Sequence, residues 1–382
     1  MLVAALLFGL VWLLQPSTPA AAGASLTVNE ALTADDTEGF RRAVEPREFS
    51  FPADHGPHPG FQTEWWYYTG NLDSADGRHW GFQLTFFRRQ LAPEPAERTS
   101  EWAANNIYMA HFALTDVAGN RFYAFDRFSR DGAGLAGAQA DPFRVWLEDW
   151  QASAAPDASM RLQAQAEGIA IDLIGRNTKP PVLQGDNGLS QKSSGEGNAS
   201  YYYSLTRMAT EGTITVDGEQ IAVTGLSWMD REWSTSVLEE NQIGWDWFAL
   251  QFEDGRDLMY YQIRLQDGGV EPLSSGVLVA PDGGTTRILR DEIQIAVLER
   301  WTSPRTGAQY PSRWRVQIPE AQLDLTIEPY LSDQEMPFNV TYWEGAVRIT
   351  GTSDGEPISG NGYIEMTGYT ANESTAVPNR AP

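Results

Sequence analysis

The chain has 382 residues and a formal net charge of −24, since 51 residues are Asp or Glu and only 27 are Lys or Arg. An acidic protein repels polyanions, so the charge argues against nucleic acid as a partner. The chain contains no Cys and only four His, which excludes disulfides and thiol catalysis and leads us to expect no metal site.

The N-terminus predicts export. Residues 2–14 are almost all apolar, and two Ala-x-Ala-like cleavage sites follow within residues 20–24. This pattern is typical of a signal peptide over residues 1–24, although no Lys or Arg precedes the apolar run and an uncleaved N-terminal anchor is the alternative. Either reading places the protein outside the cytoplasm, which in a Gram-negative cell means the periplasm. Residues 25–48 form an acidic, weakly patterned N-terminal segment.

A carboxylate followed by four aromatic residues marks the first long strand. Alternation along a strand places Glu64, Trp66 and Tyr68 on one face and Trp65 and Tyr67 on the other. Because both faces carry large aromatic side chains, we expect protein or ligand to cover both.

This aromatic hairpin occurs twice. A Trp-rich strand, a turn ending in Asp-Gly-Arg and a second apolar strand occur within residues 64–88 and again within 245–264. We interpret the repeat as two related β-domains, at residues 49–238 and 239–369, followed by a disordered tail at 370–382. Many short predicted strands between Gly- and Pro-rich turns favour closed barrels, because closure removes exposed sheet edges.

Three internal segments carry further predictions. A strand over residues 107–114 contains His111, which we interpret as a hydrogen-bonded core residue more readily than as a ligand-binding group. Residues 130–141 are rich in Gly and Ala and are predicted to be a loop. Residues 191–198 are small and polar, and are also predicted to be a loop.

Four long, Trp-rich stretches are similar to a known family. They are 63–72, which reads TEWWYYTGNL; 225–234, GLSWMDREWS; 244–248, GWDWF; and 342–347 with 360–369, YWEGAV and GNGYIEMTGY. Through these stretches the sequence resembles the AttH-like and carotenoid 1,2-hydratase (CrtC) superfamily over residues 49–369. The resemblance implies an all-β fold of two lipocalin-like (calycin-type) antiparallel β-barrels packed together, with a hydrophobic pocket in or between them.

The resemblance also implies a chemistry. Carotenoid hydratases add water across a terminal C=C bond, which requires a strong proton donor and a stabilised carbocation. Asp230 and Glu232 are candidate donors, because a carboxyl group buried among aromatic side chains can hold its proton near neutral pH. The hydratases have His at the position of Arg231, and an arginine cannot exchange a proton near neutral pH. Hydratase chemistry would then depend on a neighbouring carboxylate.

A second interpretation of the same segment is structural. Asp230, Arg231 and Glu232 could form a buried ion pair that fixes the two barrels against each other. Glu64 presents the same choice between pairing with an arginine and acting as a polar group of the pocket. The predicted catalytic residues are therefore Asp230, Arg231 and Glu232, and the predicted ligand-binding residues are Glu64, Trp66, Tyr68, His111, Trp228, Trp233, Trp245 and Tyr261.

Two functions remain open at this stage. The first is an exported, cofactor-free hydratase (a hydro-lyase) acting on an isoprenoid or lipid-like molecule. The second is a non-catalytic periplasmic carrier of a hydrophobic ligand that acts with an ABC export system or associates with the membrane. Either function predicts a hydrophobic small molecule as the partner.

Overall fold

A computed structural model describes residues 37–94, 100, 103–235, 238–239, 241–338 and 340–370. The predicted signal peptide or anchor at 1–24 and the predicted tail from residue 371 onward lie outside the described residues. No helix in the described ranges is long and apolar enough to cross a membrane. The described chain is almost entirely β and forms two antiparallel sheets.

The first sheet contains thirteen strands. They are β1 (Thr63–Ser74), β2 (His79–Gln90), β3 (Asn106–Asp116), β4 (Arg121–Arg130), β5 (Ala136–Ala140), β6 (Phe143–Leu147), β7 (Trp150–Ala154), β8 (Met160–Ala166), β9 (Ile169–Asn177), β10 (Val182–Leu183), β11 (Leu189–Gln191), β12 (Ala199–Val216) and β13 (Glu219–Ser234). Their order is β4-β3-β2-β1-β13-β12-β9-β8-β7-β6-β5, and β10 and β11 also pair with β12.

The second sheet contains ten strands. They are β14 (Gln242–Phe252), β15 (Asp257–Leu265), β16 (Ser275–Val279), β17 (Thr285–Leu289), β18 (Gln294–Thr302), β19 (Gln309–Ile318), β20 (Leu323–Pro329), β21 (Glu335–Pro337), β22 (Thr341–Ser353) and β23 (Glu356–Met366). Their order is β17-β16-β15-β14-β23-β22-β20-β19-β18, and β21 also pairs with β22. Short 3-10 turns span Ala53–His55, Gly132–Gly134, Arg290–Glu292 and Pro319–Ala321.

The two sheets repeat one topology. In the first, β4-β3-β2-β1 is followed by β13 and β12, and in the second, β17-β16-β15-β14 is followed by β23 and β22. The two predicted aromatic hairpins are confirmed as β1–β2 and β14–β15, at the same position in each sheet. In both hairpins the turn aspartate accepts a hydrogen bond from the arginine two residues later, at 2.8 Å in Asp76–Arg78 and in Asp254–Arg256.

The first sheet curls into a nearly closed barrel, and the second forms a half-barrel. In the first barrel the edge strands β4 and β5 follow one another in the chain. Phe112 on β3 and Trp150 on β7 pack across its interior with ring centroids 5.8 Å apart. The predicted lipocalin-like, all-β fold is therefore confirmed.

One predicted loop is partly a strand. Residues 136–140 of the Gly- and Ala-rich segment form β5, which pairs with β6. Small residues are required here because the Trp146 ring lies over Gly137, where an added Cβ would come within 2.4 Å of it. The sequence of β5 lacks the large alternating side chains by which a strand is normally recognised.

The sheets pack against each other through their convex faces. Each barrel has its own interior core, and a third buried cluster contains residues from both sheets. This interface cluster comprises Tyr67, Tyr202, Trp228, Leu238, Trp247, Ala249, Met259, Tyr261, Ile263, Ala346 and Tyr363.

A buried ion pair also joins the sheets. The fully buried Asp257 at the start of β15 lies 2.6 Å from Lys179 Nζ, in the connection between β9 and β10, and 2.8 Å from Nη2 of Arg207 on β12. This ion pair between the sheets lies outside residues 230–232, the segment in which the sequence suggested such a contact.

Asp257→Asn tests this contact. Removing the carboxylate leaves two cations without their shared partner, and loss of one member of a buried pair costs about 3–5 kcal/mol. We expect that decrease in the free energy of unfolding, measured by urea titration. The control is Asp254→Asn, because Asp254 is paired with Arg256 at the surface, where such pairs contribute about 0–1 kcal/mol. Equal losses in the two variants would contradict the role of Asp257.

Candidate functional site

A cavity lies between the two sheets, at the interface cluster. Its volume is about 100 Å³, and one water molecule needs roughly 10–15 Å³ on the same measure, so a small organic group fits. The lining residues are Trp65, Tyr67, Phe87, Lys192, Tyr202, Asp230, Glu232, Leu238, Trp245, Trp247, Tyr261, Ile263, Tyr342, Glu344 and Glu365. Trp65, Phe87 and Trp245 are half-buried, whereas most of the other lining side chains are buried.

Strand register builds the walls of the cavity. In the first sheet Tyr67 on β1 is directly opposite Asp230 on β13. In the second sheet Trp247 on β14 is directly opposite Glu365 on β23, which is in turn opposite Glu344 on β22. Directly opposed residues project from the same face of a sheet. Each sheet therefore places an aromatic ring beside a carboxyl group on the side that faces the other sheet.

Asp230 is buried among hydrogen-bond donors. Its Oδ1 accepts from Ser204 Oγ at 2.5 Å and from Trp228 Nε1 at 2.7 Å, and its Oδ2 accepts from the Tyr202 hydroxyl at 2.6 Å. Burial raises the pKa of Asp230 to about 7, although these donors favour the anion. Asp230 can therefore exchange a proton near neutral pH.

Glu232 is paired with the single cation of the cavity. Lys192 Nζ lies 2.9 Å from Glu232 Oε1 and 3.1 Å from Ser190 Oγ. The ammonium also lies 4.3 Å from the centroid of the Tyr261 ring. Burial lowers the pKa of Lys192, but Glu232 outweighs this effect and the pKa is raised, so Lys192 stays charged.

Glu344 and Glu365 form a cross-strand pair of carboxyl groups. Like charges directly opposite each other are unfavourable, so the pair retains a proton. Burial and the nearby Asp230 and Glu232 raise the pKa of Glu365 to about 8, against the effect of a hydrogen bond from Trp245 Nε1 at 3.1 Å. Glu365 is half-buried, so it lies nearer to solvent than the fully buried Glu344.

Glu344 has one oxygen free to act. Its Oε1 accepts a short hydrogen bond from the Tyr67 hydroxyl, which crosses from the first sheet, and the nearby Tyr342 hydroxyl also favours the carboxylate. Its Oε2 is buried and has no hydrogen-bond partner among the described residues. Burial and the neighbouring Glu365 raise the pKa of Glu344 well above the usual carboxyl range. Glu344 therefore holds its proton more tightly than an ordinary carboxyl group does.

His111 lies behind this acid. Its Nδ1 is 2.7 Å from the Tyr342 hydroxyl, and its ring packs against Phe338 at a centroid distance of 4.5 Å. Burial lowers the pKa of His111 to about 3, so the ring is neutral. His111 contacts a lining residue of the cavity but does not line the cavity itself.

Arg231 points away from the cavity. Alternation on β13 turns it into the first barrel, where it forms a fully buried ion pair with Glu64, which also pairs with Arg88. The Arg231 guanidinium lies 4.0 Å from the centroid of the Trp66 ring. Burial would raise the pKa of Glu64, but Arg88 and Arg231 outweigh this effect and hold it well below its usual range. The expected arginine partner of Glu64 is therefore present, inside one barrel and not between two.

The structure thus divides the residues chosen from the sequence. Asp230, Glu232, Trp245 and Tyr261 line the cavity, and Trp228 hydrogen-bonds Asp230 from behind. The other candidates face the first barrel or contact the cavity only through a neighbour: Glu64, Trp66, Tyr68, Arg231, Trp233 and His111.

Sequence reasoning missed six polar side chains of the cavity. They are Tyr67, Lys192, Tyr202, Tyr342, Glu344 and Glu365. Glu344 and Glu365 had a detectable signal, since each is a lone carboxylate inside an apolar strand. Lys192 had none, because it lies in a polar loop whose position only the tertiary structure defines. Among the described residues, no group of three or more His, Asp or Glu side chains is arranged to hold a metal ion.

The arrangement has a defined chemical capacity. A protonated carboxyl, two carboxyls that titrate near neutral pH and several aromatic faces enclose a small space. Such a site can donate a proton to a bound molecule, stabilise a cation and accept a proton. Fold and site together define a two-barrel, lipocalin-like protein with an acidic aromatic cavity between its barrels.

Comparison with known proteins places the chain in a family. A model of the AttH-like family matches residues 42–369, and the chain belongs to this family. The structure of an AttH protein from Nitrosomonas europaea is similar at 36% identity and a TM-score of 0.78, over 87% of this chain and 100% of that one. A search of curated proteins finds no match.

Two more distant structures share the fold. Kievitone hydratase from Nectria haematococca aligns at 15% identity with a TM-score of 0.65, over 87% of this chain and 98% of that one. CghA aligns at 13% identity with a TM-score of 0.54, over 89% of this chain and 96% of that one. The predicted membership of the AttH-like family is confirmed.

The cavity carboxyls should make stability fall as pH rises. The pKa of Glu365 is about 8 in the folded protein, against a usual value of 4.5, so the folded state binds a proton that the unfolded state lacks between these values. Its contribution to stability is complete below about pH 4.5 and is lost as pH rises through 8.

Glu365→Gln tests this pH dependence. The variant should lose less free energy of unfolding between pH 6 and 8.5 than the wild type, by up to about 1.4 kcal/mol per pH unit. Urea titrations at each pH measure the difference, with the surface variant Glu328→Gln as control. A wild type and a Glu365→Gln variant with parallel profiles would contradict the raised pKa.

Proposed function

We propose that this protein is a cofactor-free hydratase, which adds water across a C=C bond of an apolar, isoprenoid-like molecule bound between the barrels. The observation that carries the proposal is Glu344, a buried and protonated carboxyl whose Oε2 has no partner and which lines an aromatic cavity. The hydratase in the name of a protein that shares this fold supports the same class of reaction.

The first step is proton transfer to the alkene. The π electrons of the C=C bond form a new C–H bond with the acid proton of Glu344, and Glu344 is left as a carboxylate. Tyr67 donates a hydrogen bond to Oε1 and so stabilises the charge that develops there. A donor that remains in place during the reaction needs no reorganisation when that charge appears.

Aromatic faces stabilise the resulting carbocation. Tyr67 and Trp247 pack edge to face, with ring centroids 5.0 Å apart, and both line the cavity. A cation over such rings gains about 0.5–2 kcal/mol, with more where water is excluded. A carbocation forms most readily at a tertiary carbon, which favours a branched, isoprenoid-like substrate.

Water addition then completes the reaction. The oxygen of a water molecule forms the C–O bond, and the proton that it loses returns to the Glu344 carboxylate, directly or through Glu365. Glu365 suits this relay because it is opposite Glu344, half-buried, and has a pKa of about 8. The net change is the addition of one water molecule, and the enzyme is unchanged.

This mechanism does not need the histidine of the carotenoid hydratases. Arg231, which occupies that position, is turned into the first barrel and paired with Glu64. Asp230, Glu344 and Glu365 take over proton exchange on the opposite side of the strands. The proposal includes export to the periplasm, as the apolar N-terminus predicts, and association with a membrane or an ABC exporter that supplies the substrate.

Labelled water tests the reaction. The purified protein is incubated in H₂¹⁸O with geraniol or detergent-dispersed lycopene, and the products are analysed by mass spectrometry. We expect the wild type to incorporate one labelled oxygen, and Glu344→Gln to be slower by at least about 100-fold, since general acids contribute about 10²–10⁴-fold. Glu328→Gln, a carboxyl on the outside of the second barrel, should match the wild type. Probe binding without incorporation would identify a carrier and contradict the hydratase.

The pH profile tests the role of Tyr67. Activity requires protonated Glu344, so kcat/KM should fall as pH rises through the raised pKa of that group. Tyr67→Phe removes a donor that favours the carboxylate, so this alkaline limb should move to higher pH while kcat decreases. An unchanged alkaline limb in Tyr67→Phe would show that Glu344 is not the group that limits the rate.

A further inference from the structure

The charges of the cavity do not balance. Four carboxyl groups line it, and Lys192 is the one cationic side chain among the lining residues. Lys192 and Glu232 lie 2.9 Å apart and neutralise each other. In the part of the chain that the structure describes, Asp230, Glu344 and Glu365 form no ion pair with a cationic side chain, and the site has an excess of acidic groups.

Two other buried carboxyls of this protein, Glu64 and Asp257, are each neutralised by two cations. Glu64 pairs with Arg88 and Arg231, and Asp257 pairs with Lys179 and Arg207. Burying a charge without a partner is costly, so burial raises the pKa of each of the three cavity carboxyls. A cation that entered the cavity would supply the missing partner.

The aromatic walls favour an organic cation. Trp65, Tyr67, Trp245, Trp247 and Tyr261 line the same space as the carboxyls, and a cation over such rings is attracted by their electron-rich faces. Glu344 adds an independent feature, because it lines the cavity and its buried Oε2 has no hydrogen-bond partner among the described residues. An inorganic ion would gain little from these rings, and a lipid carboxylate would face three acidic groups.

We propose that the cavity is a binding site for a hydrophobic organic cation, a tertiary or quaternary ammonium group that carries an apolar chain. Asp230, Glu344 and Glu365 provide the negative charge, and the aromatic rings cover the alkyl groups. An ammonium carries the same positive charge as the carbocation in the proposed reaction. The binding site does not depend on that reaction, because a protein that binds the cation without hydrating an alkene would use the same groups.

Binding should release protons. The pKa values of Asp230 and Glu365 are about 7 and 8, and a bound cation favours their charged forms. Affinity should therefore increase as pH rises from 6 to 8.5. Among the other groups at the site, Glu344 also has a raised pKa, Lys192 stays protonated, and burial raises the pKa of Tyr67, Tyr202, Tyr342 and Tyr363 and lowers that of His111.

Three probes of one shape test the proposal with the wild-type protein. They are geranyltrimethylammonium, geraniol and geranic acid, titrated calorimetrically at pH 6 and 8.5. We expect the ammonium to bind at least about tenfold more tightly than the alcohol, as about 1.4 kcal/mol of cation–π and charge attraction would give. Geranic acid should bind most weakly. At pH 7.5, heats in buffers of different ionisation enthalpy should show protons released with the ammonium only.

Variants locate the binding site. Glu344→Gln and Glu365→Gln should weaken the ammonium and leave the affinity for geraniol within about twofold, whereas Glu328→Gln should change neither. Geraniol binding as tightly as the ammonium, ammonium affinity that falls as pH rises, or no ammonium binding would each overturn the proposal. If only the hydratase proposal is wrong, the ammonium will still bind with proton release, but no labelled oxygen will enter geraniol. Hydration of geraniol without preference for the ammonium would overturn only the cation site.

Discussion

The two-residue period of a β-strand is the constraint on which this molecule depends. It divides each central strand between a barrel interior and the interface, so neighbouring residues have opposite environments. On β13 the division separates Arg231, which is neutralised by Glu64 inside the barrel, from Asp230 and Glu232, which face the second sheet. The charged segment therefore contributes both a stabilising ion pair and two groups of the cavity, on opposite sides of one strand.

The interface repeats this arrangement from both sides. Tyr67 beside Asp230 in the first sheet corresponds to Trp247 beside Glu365 in the second, because the two sheets share a strand order. The cavity lies where the two copies of one pattern meet. Glu344 is added from β22 of the second sheet, and Tyr67 reaches it from the first. The acid on which the proposed chemistry rests is therefore completed only when the sheets pack together.

Burying a carboxylate is costly, and this protein offsets that cost in two different ways. At Asp257 the cost of burying a carboxylate is offset by two cations, and the result is a rigid contact between the sheets. In the cavity the cost is met by protonation, which leaves carboxyls that can give up or take up a proton near neutral pH. Both the proposed proton transfer to an alkene and the proposed binding of an organic cation depend on these carboxyls with raised pKa values.

The sequence by itself determined the all-β class, the two aromatic hairpins, the family and the opposite faces of β1 on which Glu64 and Tyr67 lie, because these follow from local periodicity and continuous motifs. It did not reveal β5, whose small residues lack alternation, or the partners of Asp257. Only the tertiary structure decided which strand faces line the cavity and that Glu344 lies opposite Glu365, far from Tyr67 in the chain. Register and packing between sheets join residues separated by hundreds of positions, and no local pattern records that distance.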